Sequence, residues 1–228
     1  SNLLVSDQGF DGVVVKLKYF NQLKINDHII VAGAGTTLAK LSRFCESQGL
    51  NGAEFLSAIP GNVGGALAMN AGSFGSEIWQ FISSVTTINT EGVVFERSPA
   101  DFNVSYRQVL ADNNNEYFIA ANFEFNQTEK QKNIKMLLEQ RNLSQPTGEA
   151  NCGSVFKNPK NYHAAKLIED SNLKGFCIGG ACISDKHANF IINQDKASAT
   201  DIEKLILHIQ QTVKSKFDID LETEVVII

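Results

Sequence analysis

Between Leu56 and Gly72 the chain reads Leu-Ser-Ala-Ile-Pro-Gly-Asn-Val-Gly-Gly-Ala-Leu-Ala-Met-Asn-Ala-Gly, and no ionisable side chain follows until Glu77. Such a run cannot fill a core by bulk. Its value is close approach, because glycine reaches positive φ and lets backbone N–H groups come near another surface. The run therefore reads either as a tightly packed turn or as a cradle of N–H groups around a diphosphate, where a Cβ would hold the ligand away. Asn70 could add a side-chain amide for a ring or ribose. No Walker lysine is present, which argues against nucleoside triphosphate hydrolysis.

The remainder of the 228 residues can supply the core that this run cannot. The chain is 43% hydrophobic and 20% charged, with only 17 Gly and 4 Pro, which excludes disorder and collagen-like or linker character. No apolar run approaches the roughly 20 residues of a membrane-spanning helix. A net charge of -5 argues against a general nucleic-acid surface. Four cysteines without a CxxC pair read as reduced thiols of a cytoplasmic protein. The start at Ser1-Asn2-Leu3 has neither Met nor the basic and apolar regions of a targeting peptide.

Patterning predicts strands at Leu3–Val5, Val13–Lys18, Ile29–Ala32, Ser84–Asn89, Val93–Glu96, Tyr117–Phe125 and Leu221–Ile228. A helix is expected from Thr36 or Thr37 to Gly49, with Leu38, Leu41, Phe44 and Cys45 on one face. Others are expected over Ile134–Leu143, from Ala164 to before Gly175, and over Thr200–Phe217. The last carries a Thr200/Glu203 capping box and a stripe of Ile202, Leu205, Ile206, Ile209, Val213 and Phe217. Strands and helices do not alternate regularly, so the class is α+β. Polar Asn126–Lys132 suggests a boundary between a first domain, 1–127, and a second, 129–228.

Several smaller motifs carry competing readings. Gly33-Ala34-Gly35 lacks the third glycine of a dinucleotide fingerprint, since Leu38 stands there, and reads as a tight strand-to-helix turn. Cys177 and Cys182 have no matching histidine pair for zinc, Cys152 reads as a passive thiol, and no metal site is expected. His187 reads as a structural imidazole.

Taken together, Ser1–Asp7, Ile59–Ala66, Met69–Gly72, Ser105-Tyr106-Arg107, Gly153–Pro159, Ile178–Asn193 and Leu221–Val225 resemble, in order along the chain, the motifs of the UDP-N-acetylenolpyruvoylglucosamine reductase (MurB) family. The resemblance implies a flavin-binding domain of the vanillyl-alcohol-oxidase/MurB type followed by a MurB C-terminal substrate-binding domain. It also implies cytoplasmic peptidoglycan precursor synthesis, with NADPH reducing bound FAD and the enolpyruvyl ether of UDP-N-acetylglucosamine then reduced to UDP-N-acetylmuramate. By the same resemblance FAD is held by Ser1, Asn2, Leu3, Ile59, Pro60, Gly61, Asn62, Gly64, Gly65, Asn70, Ala71 and Gly72. Tyr106, Lys157 and Asn158 match substrate-pocket positions. Arg107 would grip the substrate carboxylate, Glu224 would assist polarisation as a neutral acid, and Ser154 would protonate the carbanion.

Two alternatives remain open on residues alone: a flavin oxidase of another small molecule, and a non-catalytic nucleotide-sugar binder. Each residue also has a bland reading. Ser154 could end a turn, Arg107 could make a surface ion pair, and Glu224 could be an exposed strand residue. The sequence departs from the family at Asn62, where Ser or Thr is usual, and at His163–Lys166. The short stretch from Arg107 to Arg141 resembles the compact form without a Tyr-bearing flap. The sequence starts without the family's N-terminal lobe and Gly-rich lead-in; either these lie upstream of Ser1 or this protein cannot hold FAD as the family does, and the 228 residues alone are expected to bind FAD weakly, with a Kd above the submicromolar range.

Overall fold

The computed structural model describes residues 2–111, 115–125 and 133–228. The boundary expected at 127–129 and the site residue Ser1 lie outside them. The chain forms two compact units, Val14–Gln140 and a second made of Ser1–Val13 with Arg141–Ile228. No helix among the described residues is long and apolar enough to cross a membrane.

Strand β1 (Leu3–Leu4) belongs to the second unit. The first unit then runs through β2 (Leu23–Asn26), β3 (Ile29–Gly33), α1 (Leu38–Ser47), α2 (Val63–Ala68), and a two-residue ladder of β4 (Gly72–Ser73) with β5 (Ser76–Glu77). It continues through β6 (Ile82–Asn89), β7 (Val94–Arg97), β8 (Phe102–Ser105), β9 (Gln108–Ala111) and β10 (Glu116–Glu124). Five of these strands make an antiparallel sheet in the order β2-β3-β10-β6-β7. Ile30 and Ala32 on β3 and Phe123 on β10 are buried in one core with Leu38 and Leu41 of α1 and Leu67 of α2. Thr37 caps α1 by accepting the Lys40 N–H, and Gly49 stands beyond its last turn at φ +72°.

The strand expected at Val13–Lys18 does not form. Val13, Val14 and Val15 are 70–87% exposed, so their β-branched stiffness has no ladder to join. The following residues instead press against Gly33 and Gly35. The Gly35 N–H donates to Phe20 O at 2.7 Å, and a Cβ on Gly35 would lie 2.0 Å from Leu17 O. That close approach accounts for the Gly-Ala-Gly turn.

In the second unit β1 pairs in parallel with β14 (Val226–Ile227), and β11 (Cys177–Ile178), β12 (Ala181–Ile183) and β13 (Ile191–Asn193) form a small antiparallel sheet. The division between units falls within α3 (Ile134–Ser144), and α4 (Ala164–Asp170) and α5 (Ala199–Phe217) follow. Leu205, Ile206, Ile209 and Val213 are buried as the stripe predicts. The capping box lies two residues earlier than expected, at Ser198 and Asp201. Two overlapping boxes fit the sequence, and Asp7 settles the register by accepting the N–H groups of Ala199 (2.7 Å) and Thr200 (2.9 Å). The Thr200 hydroxyl, which also donates to Asp7, holds that carboxyl below its usual pKa.

Two further expectations need correction. The reduced state expected for all four cysteines does not hold for Cys177 and Cys182, which face each other across the β11–β12 ladder and are joined as a disulfide. A hairpin closed at Ile178 and Ala181 brings side chains five residues apart into contact, which their linear spacing does not show. The final strand is also shorter than Leu221–Ile228. Thr223 makes an isolated bridge to Phe156, and the chain changes partner to β1 only at Val226.

Candidate active site

Each unit carries part of the residue set. In Val14–Gln140, the β8–β9 hairpin turns at Tyr106-Arg107, and Arg107 sits at φ +55°. A non-glycine residue in this region carries backbone strain, a frequent mark of functional positions. Its guanidinium donates to Asn70 O at 3.3 Å and Gly72 O at 3.0 Å, and lies 5.0 Å from the Tyr106 ring centroid. The hairpin turn is thereby tied to the small-residue run.

Within that run the structure separates packing from surface. Val63 and Gly64 donate their N–H groups to Thr36 O and Ala34 O, both at 2.9 Å, so those two amides do not face a ligand. A Cβ on Gly64 would come 2.9 Å from that of Ala34. Asn70 is 1% exposed, and its amide donates to Glu77 Oε2 and Ser105 O while accepting the Trp79 N–H. That amide ties the run to its neighbours. Ala71 is buried, whereas Ile59, Gly61 and Gly72 are half-buried. Pro60, Asn62 and Gly65 are exposed, and nothing lies within 4 Å of where a Gly65 Cβ would stand. This open, side-chain-poor face suits a flat or diphosphate-bearing group. Beside it, a cavity of about 310 Å³ is lined by Leu17, Gly64, Ala68, Phe102, Thr87 and Glu116, among others.

At the cavity wall Glu116 pairs with Arg97 and accepts the Thr87 hydroxyl. The Arg97 hydrogen bond first, then that of Thr87, holds the Glu116 carboxyl below the usual range. A depressed carboxylate pKa adds stability above its unfolded value, and that contribution disappears as pH falls through the folded value. Glu116→Gln is therefore expected to lower stability at pH 7 and to flatten the loss of stability below about pH 4.5, read from urea midpoints across an acid series.

In the second unit Gly153 (φ +90°) leads into Ser154, and Val155 and Phe156 are buried. The Val155 N–H donates to Asn189 O at 2.9 Å, and the Asn189 side chain both accepts the Phe156 N–H (3.0 Å) and donates to Phe156 O (2.8 Å). Val155 O accepts the Glu224 N–H at 2.7 Å, and the Lys157 N–H donates to Glu222 O at 2.9 Å. Asn2 donates its amide to Glu224 O at 2.8 Å, and the Lys157 ammonium pairs with Glu222. Ser154, Lys157, Glu224 and Asn2 are thus brought together through one backbone ladder. Leu3 is exposed, and Asn158 accepts the Ala164 N–H at the start of α4. Arg107, Tyr106 and the small-residue run belong to the other unit.

Burial pushes the Cys152 thiol upward and Cys45 up to about 12, so neither is a ready nucleophile. Burial pushes His187 down, which keeps a neutral imidazole whose Nδ1 accepts the Asn189 N–H at 3.3 Å. Sequence reasoning passed over Asn189 and Asp7 as organising residues. Asn189 offered one signal, an amide set between the apolar Ala188 and Phe190.

Comparison with known proteins finds matches in both parts of the chain. Residues 1–98 match the family model for an FAD binding domain, and residues 145–228 match that for the UDP-N-acetylenolpyruvoylglucosamine reductase C-terminal domain. An α+β chain with these two domains in this order is a flavin-binding oxidoreductase. It is 45% identical over 252 residues to UDP-N-acetylenolpyruvoylglucosamine reductase of Coxiella burnetii (strain Dugway 5J108-111), covering 100% of this chain and 79% of that protein. The Alkalilimnicola ehrlichii reductase is 44% identical, with 100% and 78% covered. The crystal structure of the Thermus caldophilus reductase (MurB) superposes with a TM-score of 0.79 at 28% identity, over 99% of this chain and 82% of that one. The chain belongs to the UDP-N-acetylenolpyruvoylglucosamine reductase (MurB) family.

Proposed function

We propose that this chain reduces the enolpyruvyl ether of UDP-N-acetylglucosamine to UDP-N-acetylmuramate with NADPH as the electron source. One observation beyond family membership supports it: a single backbone ladder joins the segments carrying Ser154, Lys157 and Glu224. When bound, FAD supplies hydride transfer from NADPH to the terminal vinyl carbon of the substrate. The open face at Pro60, Asn62 and Gly65, with the adjoining cavity, suits that cofactor.

The chain's own residues meet the demands that hydride addition creates. Charge develops on the substrate carbon bearing the carboxylate, and preorganised donors stabilise it. Arg107 grips the carboxylate through its planar fork, Glu224 donates a hydrogen bond as charge builds, and the Ser154 hydroxyl delivers the proton to the carbanion. Lys157 faces the ligand's phosphates, with Tyr106 and Asn158 lining the sugar and nucleotide. NADPH and a nucleotide sugar do not cross a bilayer unaided, which supports a cytoplasmic reaction.

Anaerobic titration of the FAD-loaded protein tests this reading. NADPH should bleach the flavin, and UDP-N-acetylenolpyruvoylglucosamine should restore its colour while gaining two hydrogens. A reduced flavin that the nucleotide leaves untouched but dioxygen rapidly reoxidises would support an oxidase instead.

A further inference from the structure

We propose that Asn189 is the positioning residue for Ser154 and, through Val155, for Glu224. The inference rests on the function proposed above, which makes Ser154 the proton donor.

Asn189 lies between β12 and β13 and is 4% exposed. Its side chain does the work of a strand partner for one residue: Oδ1 accepts the Phe156 N–H and Nδ2 donates to Phe156 O. Its backbone oxygen accepts the Val155 N–H, and Val155 O in turn accepts the Glu224 N–H. One residue therefore sets the peptide units immediately after Ser154, and the middle one of them sets the backbone of Glu224. Asn189 is itself held by a tight turn. Its N–H donates to His187 Nδ1, the Phe190 N–H donates to His187 O, and Ser184 N–H donates to Phe190 O.

Each polar atom of Asn189 has one partner, and three of the four partners lie on Val155 and Phe156. Its backbone oxygen and both side-chain polar atoms converge on the two residues after Ser154, and proton delivery to carbon depends steeply on placement. An error near 1 Å can cost about 10²-fold in rate. The oxygen that must face the substrate carbon sits one residue from this grip.

The test uses the FAD-loaded enzyme and separates the two half-reactions. In Asn189→Ala, flavin reduction by NADPH and substrate affinity, read by flavin absorbance, should match wild type. Reoxidation by the enolpyruvyl nucleotide should slow about 10²-fold. Independently of FAD and turnover, hydrogen exchange at the Phe156 amide should quicken in the same variant, since its acceptor is gone. In the Ser154→Ala background the Asn189 change should cost far less than its full effect, leaving only what it loses through Glu224.

Asn189→Asp supplies a second arm. A neutral carboxyl can donate to Phe156 O and accept from its N–H, whereas an ionised one cannot donate. Burial raises the pKa of the new group. Its reoxidation rate, taken as a ratio to wild type, should therefore recover as pH falls and drop as pH rises. The ratio corrects for His187 and Glu224, which share the network. Three results overturn the proposal: a flat ratio, an additive double variant, or an unslowed Asn189→Ala beside a slow Ser154→Ala. A Ser154→Ala enzyme with full reoxidation would instead overturn the functional reading, and the positioning role with it.

Discussion

Ser154→Ala is expected to yield an enzyme whose flavin is bleached by NADPH at the wild-type rate and reoxidised by the enolpyruvyl nucleotide about 10³-fold more slowly, a loss of ~4 kcal/mol in transition-state stabilisation. The two effects separate because the hydroxyl has no part in the first half-reaction. A serine is a weak acid, yet it need only outpace solvent in delivering a proton to a strongly basic carbon. The buried Val155-Phe156 segment gives the hydroxyl a fixed backbone from which to act. Ser154→Cys, which restores a proton donor of similar size, should recover part of the lost rate. Stopped-flow absorbance of the flavin reads both variants. Equal slowing of both half-reactions would show that Ser154 acts in folding or flavin seating instead.

Arg107→Lys is expected to lower kcat/KM for the nucleotide by 10² to 10³, roughly 3–4 kcal/mol, although the charge is kept. Lysine offers a point charge, whereas arginine offers a planar fork with five N–H donors. Two of those donors bind Asn70 O and Gly72 O and so set the guanidinium plane, an orientation an ammonium cannot reproduce. The backbone at φ +55° is kept in this variant, so its stability should change little by comparison. A glycine at 107 separates strain from chemistry: it releases about 1 kcal/mol of left-handed strain while removing the charge. Thermal unfolding should then move little while turnover is lost. If Arg107→Lys turned over like wild type, the bidentate grip on the carboxylate would be wrong.

The parts of the fold most legible in the sequence were those whose periodicity and punctuation agree. Helix α1 shows its Thr37 cap, its apolar face and Gly49, and α5 shows a five-turn stripe. The misread parts depend on partners distant in the chain. Val13–Val15 have strand propensity but no strand beside them. The cap of α5 was ambiguous between two boxes until Asp7, 192 residues earlier, chose one. Helix α2 was hidden because Gly64 and Gly65 are poor helix formers, and it forms because Val63, Ala66 and Leu67 are buried while Thr36 O and Ala34 O receive its first amides. At the candidate site, motif resemblance named Ser154, Arg107, Glu224 and Asn70, whereas the enclosure of the Asn70 side chain by Glu77, Ser105 and Trp79 is tertiary and not legible in the sequence.

The pairing of β1 with β14 bears on the order in which the chain can mature. Val14–Gln140 is continuous, so during synthesis it can close its sheet while later residues are still being added. Leu3 and Asp7 are made before it, yet they wait unpaired until α5 and Val226 emerge about two hundred residues later. Carried through that interval without its partner strand, β1 is among the last pieces to lock. Cleavage near Phe10 in nascent or partly refolded chains would be an early sign of that delay.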